Sequence, residues 1–482
     1  MTLISAKQMS ELGLPNHPKI MPVAMKTVNK AIAGGANVTD MLEQLRCLLA
    51  DPHGLRADAF FGPLADAVLE VFPEGVRFIP RNDSAPWKKW GDIGLEESAV
   101  TQMRNATLLP VAVRGALMPD AHTGYGLPIG GILAVKDAVI PYAVGVDIAC
   151  RMRLTVLDMP VSALQQRRGV LIRALEEETR FGLGAAFDRG ERRDHGVMEE
   201  DWGVCVTTSR LKDKAWKQLG SSGGGNHFVE FGELILDAPA LGLEKGMYLA
   251  LLSHSGSRGT GEEVAAYYSK LAMDFRPFLP QELKHLAWLE CDSNEGREYW
   301  GAMQLMGKYA AANHELIHWH ILANLGAKAL THVENHHNFA WEEEHDGETV
   351  IVHRKGATPA GQGILGIVPG SMGSSGFVVR GKGNTDALHS CSHGAGRLMS
   401  RSAAFKTLDR DEVRRFLEDA GVHLISGGLD EAPMAYKDIH AVMAAQNDLV
   451  DILARFEPRL VKMAPGDEDG TKKRFKRGKK RQ

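Results

Sequence analysis

The sequence predicts an α+β protein whose texture is that of one catalytic domain of mixed sheets flanked by helices, with an N-terminal helical extension. Three observations carry this. The apolar runs GILAV (131–135), RMRLTVL (151–157), MYLALLSH (247–254) and FVVRG (377–381) read as buried strands that end in polar residues. Helical stretches lie between them, at 261–273, 298–327 and 410–420, without the regular alternation of a doubly wound sheet. The first 75 residues or so carry only helical spacing.

In chain order, MLEQLRCLLA (41–50) and ADAFFGPLADAVLEVF (57–72) repeat apolar residues at helical intervals, with breaks at AIAGGAN and DPHG. Residues 1–80 are therefore read as the extension. RNDSAPWKKWGD (81–92) reads as a linker or loop that opens a catalytic domain over 81–465. Residues 466–482 read as a basic, unstructured tail.

Composition narrows the class. With 482 residues, 44% hydrophobic and 24% charged, the chain can bury a sizeable core, which excludes wholesale disorder, collagen and a disulfide scaffold. No window of 18 uninterrupted apolar residues suggests a membrane span. The start, MTLISAKQMSELG, lacks the basic-then-apolar order of a secretory signal. Five widely spaced cysteines argue for reduced thiols and a cytoplasmic setting. The 52 glycines gather in GSSGGGN, GQGILG and PGSMGSSG, where backbone can approach a ligand closely. The last eleven residues, KKRFKRGKKRQ, hold eight Lys/Arg, so the remainder carries a net charge of −12 within the −4 total. A basic tail on an acidic body suits nucleic-acid phosphates.

Several short motifs compete. His314-Glu315-Leu316-Ile317-His318 fits H-E-x-x-H, with Glu334 available as a third ligand, and gives a zinc peptidase as an alternative reading. GQGILG (361–366) lacks the strand before and helix after that a dinucleotide fingerprint needs. GFVVRGKG (376–383) has Gly383 where a P-loop needs Ser or Thr. A wider constellation is more coherent. Asp147 and Cys150 precede a strand, His227 follows a glycine-rich turn, His254 ends an apolar run, and His336 and His337 lie in HVENHHNFA. A carboxylate–thiolate–imidazole set suits manganese or zinc. PGSMGSSG (369–376) and GGGN (223–226) could present backbone N–H groups to phosphate, and HGAGR (393–397) sets a histidine and Arg397 at an expected helix start. A histidine there could be a nucleophile toward phosphorus.

Together these stretches resemble the RtcB-type RNA-splicing ligases. The matching blocks, in order, are LMPDAHTGYGLPIGG (117–131), VGVDIAC (144–150), GSSGGGNHFVEF (220–231), SHSGSRG (253–259), HHN (336–338), VHRKGATPA (352–360), VPGSMGSSGFVV (368–379), SHGAGRLMSR (392–401) and DEAPMAYKDI (430–439). The resemblance spans about residues 85–465. It implies an enzyme that uses GTP and two manganese ions to join RNA 3′-phosphate or 2′,3′-cyclic phosphate ends to 5′-hydroxyl ends, through a GMP–histidine intermediate, in RNA repair or tRNA splicing. It also implies RNA as partner, with room for an archease-like activator.

By position, the resemblance makes His393 the nucleophile and Asp120 an active-site acid. It makes Asp147, Cys150, His227, His254 and His337 the metal ligands. Nucleotide contacts fall on Asn226, His227, Phe228, Val229 and Glu230; on His337 and Asn338; on Pro369, Gly370, Ser371 and Met372; on His393, Gly394, Ala395 and Gly396; and on Lys462. The chain departs from the family at Ala149, often Asn; at Arg151, often Gly; at Gly376, commonly Ser; and at His314, where Arg is frequent. A non-catalytic RNA-binding protein on the same fold is the remaining alternative.

Overall fold

The computed structural model describes residues 3–91, 94–182 and 184–465. The basic segment 466–482 lies outside the described residues. The N-terminal region forms helices Ala6–Glu11, Met21–Ala33, Val38–Ala50 and Gly62–Val71 around an apolar cluster of its own, including Ile20, Val28, Leu45, Leu64 and Val68. Ser5 and Asn37 cap two of them by accepting backbone N–H groups. The last helix begins only at Gly62, later than its apolar spacing suggests, because Pro63 supplies a preset first turn while Asp58 ties down the amides of Phe60 and Phe61. The extension rests on the end of helix Arg258–Phe275, where Asn16 N donates to Asp274 O at 2.9 Å and the His17 and Phe275 rings meet at 4.7 Å.

Two large sheets, with two two-stranded ribbons beside them, form the body that follows the extension. The first has five strands in the order Trp87–Lys89, Ala112–His122, Ile129–Val135, Glu348–Lys355, Asn338–His345. Its first strand falls in the segment read as a linker: Trp87 to Lys89 pair in parallel with Gly115 to Leu117. The second sheet has eight strands. Seven run in the order Leu365–Val368, Gly376–Gly381, Val450–Met463, Phe228–Leu236, Gly246–Ser255, Arg151–Leu157, Ala329–His336, and His423–Ser426 pairs with Val450–Met463. Most pairings are antiparallel and the helices are not interleaved as βαβ units, so the architecture is α+β as the sequence predicts.

Both faces of the larger sheet are covered. Leu249 and Leu251 face one apolar cluster with Ile317 and Ile321 of the long helix Asn294–Leu325, while Ala250 and Leu252 face another with Met152, Leu154 and Val378. A strand buried on both sides has no polar alternation, which is why MYLALLSH reads as a continuous apolar run. No helix among the described residues is long and apolar enough to cross a membrane.

One connection matters most for function. The chain leaves the larger sheet at His336 and enters the smaller one at Asn338. His337 sits at this junction, where the ends of both sheets converge.

Candidate active site

The donor residues arrive from separate elements. Asp147 and Cys150 lie on the turn between helix Pro141–Val144 and strand Arg151–Leu157, pinned by Ala149 N donating to Asn338 O at 2.7 Å. Ala149 adopts φ +57°, a conformation that Asn tolerates better than Ala, which accounts for the Asn often found there in the family the sequence resembles. His227 precedes strand Phe228–Leu236, and His254 lies near the end of strand Gly246–Ser255. Two glycines make room for them: a Cβ at Gly223 would collide with the His227 ring, and one at Gly256 would collide with the Asp147 carboxylate.

The resulting pocket is a chain of close contacts. Asp147 Oδ2 lies 2.9 Å from His227 Nε2, Cys150 Sγ lies 3.5 Å from His227 Nε2 and 3.0 Å from His254 Nε2, and His254 Nε2 lies 3.2 Å from His337 Nε2. The outer nitrogens of two rings are oriented by backbone: His254 Nδ1 meets Asn226 O at 3.0 Å and His227 Nδ1 meets Ser222 O at 3.3 Å. His337 Nδ1 is buried without a hydrogen-bond partner among the described residues. Burial pushes the His254 pKa down to about 3 and that of His337 well below its usual value, so both imidazoles are neutral at physiological pH. Burial alone would raise the Asp147 carboxyl, but the hydrogen bond and charge of His227, with Arg258, hold it below its usual range. Burial and the neighbouring Asp147 push the Cys150 thiol well up. Neutral imidazoles, an ionised carboxylate and a thiol that a cation could deprotonate form a donor set that fits a divalent transition metal.

Beside this pocket stands His393. Asp120, fully buried on strand Ala112–His122, accepts through Oδ2 from His393 Nδ1 at 2.7 Å, from His393 N at 3.1 Å and from Gly394 N at 3.3 Å. Burial would raise the Asp120 carboxyl, but the charge and hydrogen bond of His393 hold it low. With Nδ1 committed to Asp120, Nε2 is the nitrogen left for chemistry. The His393 ring centre is 5.1 Å from that of His337.

The expected nucleotide-contacting residues gather around this pair, with exceptions. Phe228 and Met372 share an apolar cluster, and Pro369 O closely approaches Gly394. Ser371 and Ser374 close the glycine loop, through Ser371 N donating to Ser374 Oγ at 2.7 Å. Glu230 is buried, and burial pushes its carboxyl well above the usual range. Asn338 bridges the sheets, donating to Asp147 O at 3.2 Å and accepting from Gly356 N at 2.7 Å. Ala395 is buried in the core and Gly396 O accepts from Lys437 N. The Val229 side chain lies in the core on the face away from Glu230. Lys462 also departs from the group: it pairs with Val229 across the sheet and donates to Leu175 O at 3.0 Å on that opposite face.

Other expectations are corrected. Arg397 does not open a helix; the helix begins at Arg401 with Ser400 as its cap, and Arg397 instead pairs with Glu431 at 3.3 Å. His336 packs its ring against Phe339 and Trp341, away from the donor pocket. The H-E-x-x-H stretch is a helix-packing device. His314 and His318 are buried and share Ser253 Oγ at 2.7 and 2.8 Å, Glu315 is 59% exposed and faces His195, and Glu334 is paired with Arg151 and Arg153. A peptidase needs that glutamate on the histidines' side.

Sequence reasoning missed two basic residues. Arg258 of SHSGSRG is buried beside Ser221 and adopts φ +60°. Lys355 of VHRKGATPA is buried, and its pKa is pushed down to about 7 by burial. Both lie in matching motifs, and a charged residue flanking a glycine turn is the signal that could have found them.

A mixed α+β body thus sets a buried carboxylate–thiolate–imidazole pocket, whose donors could hold a metal ion, beside a separately held histidine with one ring nitrogen free. Comparison with known proteins places it more closely. A family model described as tRNA-splicing ligase RtcB matches residues 102–463. The RNA-splicing ligase RtcB of Escherichia coli K12 is 33% identical over 407 residues, covering 77% of this chain and 95% of that protein. The tRNA-splicing ligases RtcB of Nanoarchaeum equitans and Thermococcus kodakarensis are 31% and 30% identical, each over 75% of this chain and about nine-tenths of their own length. The chain belongs to the RtcB family, and this membership supports an RNA ligase function.

Proposed function

We propose that the protein joins RNA 3′-phosphate or 2′,3′-cyclic phosphate ends to 5′-hydroxyl ends, using GTP and manganese, with His393 carrying GMP between steps. The observation that supports this most directly is the His393–Asp120 pair, which leaves Nε2 available beside a pocket of five metal-type donors.

In this reading His393 Nε2 attacks the α-phosphorus of GTP; the N–P bond forms and pyrophosphate leaves. Asp120 holds the Nδ1 proton and offsets the positive charge that develops on the ring. An oxygen of the RNA 3′-phosphate then attacks the GMP phosphorus, which frees His393 and leaves the 3′ end capped by a pyrophosphate linkage. The 5′-hydroxyl attacks the RNA phosphorus, the new phosphodiester forms, and GMP departs. A cyclic phosphate is first opened by water. Asp147, Cys150, His227, His254 and His337 would hold manganese, which when bound supplies charge stabilisation at phosphorus and to the leaving oxygens. The buried, neutral Glu230 is suited to pair with a nucleobase edge as both donor and acceptor. The described cysteines are all free thiols, which supports a reducing, cytoplasmic setting. RNA repair and tRNA splicing share this chemistry, and an archease-like partner would act on turnover of the adduct.

The test is label transfer. Protein incubated with manganese and α-labelled GTP, in parallel with ATP, should take up acid-labile label from GTP, and His393→Ala should take up none. Absence of label from manganese-loaded wild type would overturn the mechanism.

A further inference from the structure

The loop that follows Asp120 carries an exposed aromatic ring on a rigid support. Tyr125 is 66% exposed. Its backbone is nevertheless clamped on several sides: Gln102 both donates to Gly124 O at 2.6 Å and accepts from Gly124 N at 3.0 Å, and Lys355 Nζ donates to Tyr125 O at 2.6 Å. Gly126 presses against the backbone of His285, where a Cβ would come within 2.9 Å of the carbonyl oxygen. An exposed ring on a mobile loop needs no explanation, whereas one held in place by this many contacts is preorganised for a partner.

The ring is not alone. Its centre lies 6.1 Å from Tyr142 and 5.8 Å from His285, and those two rings are 4.7 Å apart. His285 Nδ1 is buried with no hydrogen-bond partner among the described residues. Lys355 Nζ lies 5.2 Å from the centre of the Tyr142 ring. The next residue, Gly356, backs onto the nucleophile, since a Cβ there would lie 3.1 Å from His393 Cε1. The cluster is therefore continuous with the reaction centre. It belongs to the smaller sheet and its flanking helices, whereas Phe228 and Glu230 lie in the larger sheet and Met372 in a loop between two of its strands. Asn338 pairs with Lys355 on the smaller sheet, so the cluster adjoins the proposed nucleotide pocket without sharing a residue with it.

We propose that Tyr125, with Tyr142 and His285 behind it and Lys355 at its edge, is a stacking platform for the terminal nucleotide of an RNA strand brought to His393. Aromatic faces hold a base without regard to sequence, and the lysine holds the loop that presents the ring. The inference rests on the RNA ligase reading and adds a subsite to it.

The experiment uses full-length protein and two RNAs, one with 2-aminopurine as the 3′-phosphorylated terminal nucleotide and one with it as the 5′-hydroxyl nucleotide. Stacking should quench one of these probes, and which one identifies the strand. Tyr125→Ala should abolish that quench and raise the Kd and the KM for that RNA roughly 5- to 100-fold, the range for loss of one base–aromatic stack. Tyr125→Phe should retain both. Label transfer from GTP to the protein involves no RNA and should proceed in Tyr125→Ala, which also shows that the variant is folded. Joining by Tyr125→Ala with Kd and KM within twofold of wild type would overturn the platform alone, as would the absence of quenching at both ends. A wild type that neither takes up label nor joins RNA would instead remove the ligase reading beneath it.

Discussion

Asp120→Asn isolates the charge behind the proposed nucleophile. One carboxylate oxygen of Asp120 accepts from His393 Nδ1, His393 N and Gly394 N, at 2.7, 3.1 and 3.3 Å, while Oδ1 has no hydrogen-bond partner among the described residues. An asparagine carbonyl placed at Oδ2 can keep all three acceptor roles, so the loop should stay in place. What it loses is the negative charge. A hydrogen bond to a charged group is worth roughly 1.5–3 kcal/mol against about 1 for a neutral one, a difference of ~0.5–2 kcal/mol. That difference grows as the imidazole becomes positive during attack on phosphorus. At 1.36 kcal/mol per decade the resting difference alone is worth about 2- to 30-fold, and with the charge that develops the variant should form the labelled adduct roughly 5- to 50-fold more slowly. The assay is the single-turnover rate of label transfer from α-labelled GTP, with thermal unfolding as the control for folding. A rate within twofold of wild type would refute the argument that Asp120 serves the nucleophile through its charge. Asp120→Ala, which also strands three buried donors, should be slower and measurably less stable.

Further outcomes follow from buried groups. Lys355 has its pKa pushed down to about 7 by burial, below the 10.5 usual for lysine. Below pH 7 the folded protein bears the full cost of a buried ammonium, and that cost is relieved as pH rises from about 7 to 10.5; Lys355→Met should therefore raise the melting temperature more at pH 6 than at pH 10. Glu230 has the opposite chemistry. Its raised pKa means wild type loses stability as pH climbs above the usual carboxyl range, so Glu230→Gln should flatten the melting-temperature profile above that range while altering discrimination between GTP and ATP. If the proposed site holds manganese, binding displaces the proton of the Cys150 thiol, so the affinity, measured by calorimetry, should strengthen as pH rises and collapse in Cys150→Ser. Glu315→Gln should leave label transfer, RNA joining and stability nearly unchanged, because that side chain faces His195 at the surface.

How much of this is legible in the sequence depends on the kind of residue. Buried strands such as Arg151–Leu157 are plain because both faces are covered and every position is apolar or paired. The strand Trp87–Lys89 is hidden because three residues beside Pro86 carry no period, and only the neighbouring strand makes them pair. The candidate ligand residues stand out in glycine-rich motifs because the His227 ring and the Asp147 carboxylate need the space that Gly223 and Gly256 leave. Tyr125 was invisible as a surface ring, since exposure and neighbours do not appear in a motif.

The sequence by itself determined the fold class, the order of the strands' apolar runs and the chemical inventory of the site: one carboxylate, one thiol and three imidazoles near turns, with a fourth imidazole in a glycine loop. These are local properties, set by composition and spacing. Motif reading leaves His336 and His337 both open, the family resemblance selects His337, and the tertiary structure supplies the reason. His336 ends a strand and turns into an aromatic cluster, while His337, at the junction between sheets, enters the donor pocket. It also decided that Lys462 faces the opposite side of the sheet from Glu230, because alternate residues of Val450–Met463 face opposite sides, and that His314 and His318 bind a serine hydroxyl. The physical reason is the same in each case. A side chain's direction depends on which sheet its strand joins and in what register, and both depend on contacts between segments far apart in the chain.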